Sequence, residues 1–235
     1  MQFIEPLLQE VMQARGDVTL ADHGAGKSYL GFILYDLVLR PQGRGRVIGV
    51  EARAELVDRS RALAERLGFE RMQFLATTVQ QAMDHPELPA RIDLVSALHA
   101  CDTATDDAID FALARQASHV VLVPCCQAEV AGVMRQHKAL ALKSTPLAEL
   151  WRHPLHTREF GSQITNVLRC LRLEAHGYTV TVTELVGWEH SMKNELILAR
   201  RMHDDRNGQR DKARQRLLQV LDAFGLQDMQ TRFGV

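Results

Sequence analysis

The residues best suited to chemistry cluster in the run Leu20-Ala21-Asp22-His23-Gly24-Ala25-Gly26-Lys27-Ser28-Tyr29-Leu30. A short apolar run ends in an acid and two glycines, and an apolar segment of helical length follows. Glycines let backbone approach a ligand closely, and a helix start presents free N–H groups. Three ligands suit such a turn. A phosphate loop, GxxxxGK[ST], matches at Gly26-Lys27-Ser28, but its first glycine would fall at Ala21 and Asp22 would sit inside the phosphate cradle, repelling it. A dinucleotide fingerprint matches at Gly24 and Gly26, but its third glycine would fall at Tyr29. S-adenosylmethionine (SAM) carries a sulfonium and an ammonium and no phosphate, so an acid at position 22 favours it. Glu51, ending the next apolar run, can then accept both ribose hydroxyls. On this reading Asp22, His23, Gly24, Ala25, Gly26, Glu51, Ala52 and Leu98 form the cofactor set. Asp22 as a helix cap and Glu51 as a loop acid are the plainer alternatives.

Other candidates lie further along. The run Ser96-Ala97-Leu98-His99-Ala100-Cys101-Asp102-Thr103-Ala104-Thr105-Asp106 offers His99 as a hydrogen-bonding group and Asp102 as a group that orients or deprotonates a nucleophile. The alternative is a tight loop with buried thiols. Cys125 and Cys126 either line a pocket or pack. No cysteine pair has CxxC spacing, so no zinc site is expected. In Trp188-Glu189-His190-Ser191-Met192-Lys193-Asn194-Glu195, Lys193 and Asn194 are placed to meet a phosphate or base edge, or form a polar hairpin turn. Arg152, His153, His156 and Arg158 form a basic patch with Trp151 available for stacking on RNA, or a solvated loop.

These residues need elements to hold them. Apolar runs at Val18–Ala21, Val47–Val50, Met72–Ala76, Ile92–Leu98 and Val120–Val123 read as strands. Helical segments at Lys27–Leu39, Arg53–Leu67 and Thr105–Gln116 alternate with them, and Gln2–Ala14 precedes them as an amphipathic helix. Alternation of this kind predicts a parallel sheet covered on both faces. A mixed stretch from about Ala128 to Phe160 leads to a helix over Ser162–Ala175, strands over Thr179–Leu185 and Glu195–Arg201, and a helix over Asp211–Phe224. The two last strands are too close for a helical crossover and should pair antiparallel. The expected fold is α/β: a Rossmann-like, doubly wound sheet of seven strands with the last antiparallel. It forms a single domain over 1–235, with a core of about 17–201, an N-terminal helix in 1–16 and a C-terminal helix in 205–235.

With the acid–glycine turn, Glu51 and this strand pattern together, the chain resembles the class I SAM-dependent methyltransferases over about Asp17 to Arg201. The Leu-His-x-Cys-Asp-x-x-Thr-Asp segment and the later Cys-Cys resemble the subgroup of tRNA ribose methyltransferases and of methyltransferase-like proteins with a glutathione-transferase-like appendage. Asp102 stands where that segment usually has glycine, and the Cys-Cys lacks the histidines that follow it there. The resemblance implies methyl transfer from SAM, with catalytic groups after the fourth strand. It also implies structured RNA, tRNA or rRNA, as acceptor. A protein or small-molecule methyltransferase and a non-catalytic SAM-fold subunit are the rival readings.

Composition agrees with a globular chain and excludes a disordered or fibrous one. The longest apolar stretch, Tyr29 to Leu39, is broken by Asp36 and is too short to cross a bilayer, and MQFIEPLLQE lacks the pattern of a signal peptide, so a cytoplasmic protein without membrane association is expected. The net charge of -1 conceals a split. Residues 1–134 carry 12 Lys and Arg against 18 Asp and Glu, whereas residues 135–235 carry 16 against 11. An anionic partner such as RNA would meet the C-terminal half. Nothing in the sequence points to DNA.

Overall fold

The computed structural model describes residues 1–98, 102–125, 128–136, 146–185, 194–202, 204 and 208–234. Seven strands form one sheet: β1 (Thr19–His23), β2 (Arg46–Glu51), β3 (Met72–Ala76), β4 (Leu94–Ala97), β5 (His119–Leu122), β6 (Tyr178–Glu184) and β7 (Glu195–Arg201). Their order is β3-β2-β1-β4-β5-β7-β6. β1 to β5 pair in parallel and β7 runs antiparallel to β5. Backbone bonds Leu185 N–H to Asn194 O (2.7 Å) and Met202 N–H to Gly177 O (2.8 Å) place β6 and β7 as an antiparallel hairpin. This is the Rossmann-like sheet of seven strands with the last antiparallel that the strand pattern predicts.

The helices are α1 (Glu5–Arg15), α2 (Tyr29–Leu34), α3 (Ala54–Leu67), α4 (Val79–Ala82), α5 (Thr103–Ala114), α6 (Glu129–Gln136), α7 (Pro154–Ala175) and α8 (Gln209–Ala223). The helix expected over Lys27–Leu39 is α only to Leu34. A π turn over Tyr35–Leu39 and a 3-10 turn over Arg40–Gln42 complete it, ending at Gly43, whose left-handed backbone (φ 62°) caps it. No apolar period marks α4, whose start is fixed by a capping box between Thr78 and Gln81. α7 begins eight residues before the expected Ser162, with a proline in its first turn. Its early turns escape apolar periodicity because small residues bury there: a Cβ at Gly161 would lie 2.6 Å from that of Ala131 on α6.

The chain separates into two compact units. The first comprises Met1–Ala100, Ala104–Pro124 and Val182–Arg200, and the second Cys101–Thr103, Cys125–Thr181 and Arg201–Val235. In the first, Leu8, Val11 and Met12 of α1 join Leu34, Val47, Phe74 and Leu94 in one core cluster. Asp93 ties α1 to the sheet by accepting from Arg15 (2.7 Å) and from the Thr19 N–H (2.9 Å). In the second, α6, α7 and α8 bury Met134, Leu168, Leu217, Leu221 and Phe233. Among the described residues, no helix is long and apolar enough to cross a membrane.

Candidate functional site

Register decides which side chains converge at the carboxyl end of β1. Asp22 lies opposite Gly49 of β2 and Ser96 of β4. Side chains alternate along a strand, so Asp22, Gly49, Ser96 and Glu51 share one face of the sheet, and His23 points to the other. Asp22 is buried, and its Oδ1 accepts the Ser96 hydroxyl at 2.6 Å. Burial pushes its carboxyl up to about 6, against the lowering pull of the Ser96 bond. An acid so raised is one whose negative charge lacks a neutralising cation among the described residues.

The glycine turn reaches across to β2. Gly24, Gly26 and Ser28 all have left-handed backbone, with φ of 63°, 58° and 54°; for the two glycines this conformation carries no side-chain cost. The Ala25 N–H bonds to Val50 O at 3.1 Å, and the Gly26 N–H to Glu51 Oε2 at 2.8 Å. The Glu51 carboxylate also accepts from the Arg53 backbone N–H (3.1 Å) and its Nε (2.8 Å). Burial works to raise the Glu51 pKa, but the bonds from Arg53 and Gly26 and the Arg53 charge outweigh it and hold it below the usual range. Both oxygens expected to meet ribose hydroxyls are thus engaged by protein donors. A diol can take the place of the exposed Arg53 side chain while the Gly26 bond keeps the carboxylate in place.

The remaining members of the cofactor set divide. Ala52 is exposed at the end of β2, and Leu98 is half-buried after β4. The His23 ring is fully buried, edge-on to Phe111 at 4.4 Å between centroids, with neither nitrogen hydrogen-bonded among the described residues. Burial drops its pKa to about 3, so it is a neutral core residue whose ring does not face the turn. Sequence reasoning assigned no role to Ser96, Arg53 or Gly31. Ser96 was visible only as a polar residue in a buried strand. A Cβ at Gly31 would come 2.6 Å from Ser28 Oγ and 3.0 Å from Val47, so Gly31, not position 29, lets the helix close on the strand.

A family profile described as a methyltransferase domain matches residues 1–133, more than half of the chain. The chain belongs to this methyltransferase-domain family. The match takes in β1 to β5 and therefore every residue of the face just described. The methyltransferase fold is similar to that of an rRNA methylase from Streptococcus thermophilus (TM-score 0.52, 11% identity, covering 85% of this chain and 95% of that one). It is also similar to a Streptococcus mutans protein assigned as a methyltransferase and solved in complex with SAH (TM-score 0.52, 11% identity, 86% and 97%). At that identity the likeness concerns the fold. No curated protein matches the chain in sequence.

The methyltransferase's second unit holds Asp102 and Cys125. Asp102 has φ 48°, which accounts for glycine at this place in the resembling segment, since aspartate is among the few other residues that tolerate left-handed backbone. Its Oδ1 accepts the Ala128 N–H at 3.3 Å, and its carbonyl accepts Nη2 of Arg169, fully buried in α7, at 2.8 Å. Asp102 is therefore held at both its side chain and its carbonyl. Cys125 is a half-buried thiol. Asn194, in the first unit, is buried at the base of the β6–β7 hairpin and is not an exposed turn residue. His99, Cys126 and Lys193 lie outside the described residues. The basic patch is partly neutralised, as Arg152 pairs with Glu149 and Arg158 with Glu159, each at 3.2 Å. Trp151, half-buried, donates its N–H to Met134 O at 3.3 Å and packs edge-on to Phe160 against the unit's apolar cluster.

Proposed function

We propose that this protein is a SAM-dependent methyltransferase acting on structured RNA. The observation that carries the cofactor assignment is Asp22: a buried carboxylate beside a left-handed glycine turn, with its pKa raised to about 6 and a hydroxyl as its bonded neighbour. A site for phosphate would not bury an acid there, whereas a cationic ligand relieves the charge. When bound, SAM supplies an electrophilic methyl group on a sulfonium. Asp22 would hold its cationic amino-acid end, Glu51 its ribose, and the Gly24–Gly26 backbone would admit the nucleoside. Asp102 would orient or deprotonate the acceptor, with His99 beside it in sequence. Much of the catalysis would come from positioning.

RNA as acceptor rests on charge and resemblance. The second unit carries 14 Lys and Arg against 10 Asp and Glu. Calorimetric titration of SAM into wild type and an Asp22→Ala, Glu51→Ala variant tests the cofactor. Binding by wild type and its loss in the variant is the expected pair; no binding by either, or equal binding by both, removes the assignment. RNA binding that weakens steeply with salt would support the acceptor class. Methylation of proteins or metabolites without RNA binding would overturn it.

A further inference from the structure

The second unit contains a groove of about 520 Å³ between the start of β6 and α8. Gln209, Lys212, Arg216 and Gln219 line it from α8. Their spacing of three and four residues puts them on one helical face, about one turn or 5 Å apart. Ala213, Leu217 and Leu221 form the helix's buried seam, about 120° round the axis from that face. Val180 and Met202, both half-buried, provide an apolar floor.

We infer that this groove binds the sugar–phosphate backbone of a single-stranded or looped segment of RNA. The inference rests on the RNA reading above and assigns it a place on the chain. Glu174 is the acid in the lining, and Arg216 already neutralises it through a 2.6 Å bond that also fixes the guanidinium at the groove wall. Lys212, exposed and without an ion pair among the described residues, then sets the sign of the groove. Ammonium and guanidinium groups recognise phosphate, and glutamine amides both donate to phosphate oxygens and exchange hydrogen bonds with 2′-hydroxyls. A half-buried valine and methionine give a base or sugar face something apolar to cover. A long acidic peptide would use the cations but leave the amides and floor with less to do.

The test is fluorescence anisotropy of end-labelled bulk tRNA with the whole protein, over a range of salt. Lys212→Ala is expected to lower the slope of log affinity against log salt by about one, and Lys212→Glu with Gln219→Glu to weaken binding at least tenfold. Arg66→Glu, an exposed substitution on α3 whose charge change lies between those of the two groove variants, serves as control and should leave affinity within about twofold. Unchanged SAM binding shows that the variants are folded. If wild type binds RNA and the Lys212 variants match the Arg66→Glu control, the groove assignment is wrong and the RNA reading stands. If wild type binds no RNA, both fall. Displacement of the RNA by polyglutamate as readily as by polyuridylate would make the occupant an acidic peptide and overturn the inference.

Discussion

The two units use charge in opposite ways. The first carries 14 Lys and Arg against 19 Asp and Glu, and its informative charges are acids at strand ends, Asp22 and Glu51, set where ligands bind in open α/β sheets. The second has a basic balance, and its cations divide into two kinds. Arg169 is fully buried and bonds Asn166 and the Asp102 carbonyl, whereas Lys212 and Arg216 stand on an exposed helix face. A bulk charge count cannot separate a cation that shapes a loop from one that meets a partner. Burial can, because a charge withdrawn from water must be met by specific acceptors.

Arg169→Ala would probe that distinction with the largest effect. It strips the Asp102 carbonyl and Asn166 of a buried donor and should destabilise the second unit by roughly 3 to 5 kcal/mol in urea unfolding, while Lys212→Ala changes stability by less than about 0.5 kcal/mol. Equal effects would erase the contrast between buried and exposed cations.

In the first unit, Asp22→Asn should weaken SAM binding at least 100-fold, about 3 kcal/mol by calorimetry. The same variant should be more stable than wild type at pH 7. Native Asp22 keeps its proton up to about pH 6 while the unfolded chain loses it near 3.8, so wild-type stability falls as pH rises from about 4 to 6, and the variant lacks that fall. SAM affinity in wild type should drop about tenfold per unit below pH 6, as a proton competes with the cation. A flat pH profile of affinity would remove Asp22 from the cofactor site.

His23 has the opposite sign. Its native pKa of about 3 lies below the ordinary 6.5, so the unfolded chain takes up a proton that the native state refuses, and stability is lost as pH falls through that window. His23→Leu should therefore gain roughly 2 to 3 kcal/mol relative to wild type at pH 4 and little at pH 7, measured by thermal unfolding. The smallest expected effect is at Arg53. Arg53→Ala frees the Glu51 oxygens and should tighten SAM binding by about threefold; weaker binding would mean that Arg53 itself touches the cofactor.

Much of the fold was legible because doubly buried strands are short apolar runs and their connections are helical. β3 and β7 matched their expected bounds, and most other elements lay within a few residues. The failures have local causes. α4 is one turn long and set by a cap, and the first turns of α7 bury small residues that carry no apolar signal. At the site, the acid–glycine turn and Glu51 were readable from residue type and spacing. Ser96, Arg53 and Gly31 were not, since their roles depend on neighbours 74, 2 and 16 residues away in the chain, Asp22, Glu51 and Val47.

The alternation of elements, the acids at the ends of two adjacent strands and the charge split along the chain all follow from residue order and period alone. Tertiary structure decided which face each side chain takes. It turned His23 into the core and Asp22 toward Ser96, packed Trp151 against a hydrophobic cluster, and left Lys212 outside one. Those outcomes depend on strand register and on which surfaces pack together, and neither is written in any single segment.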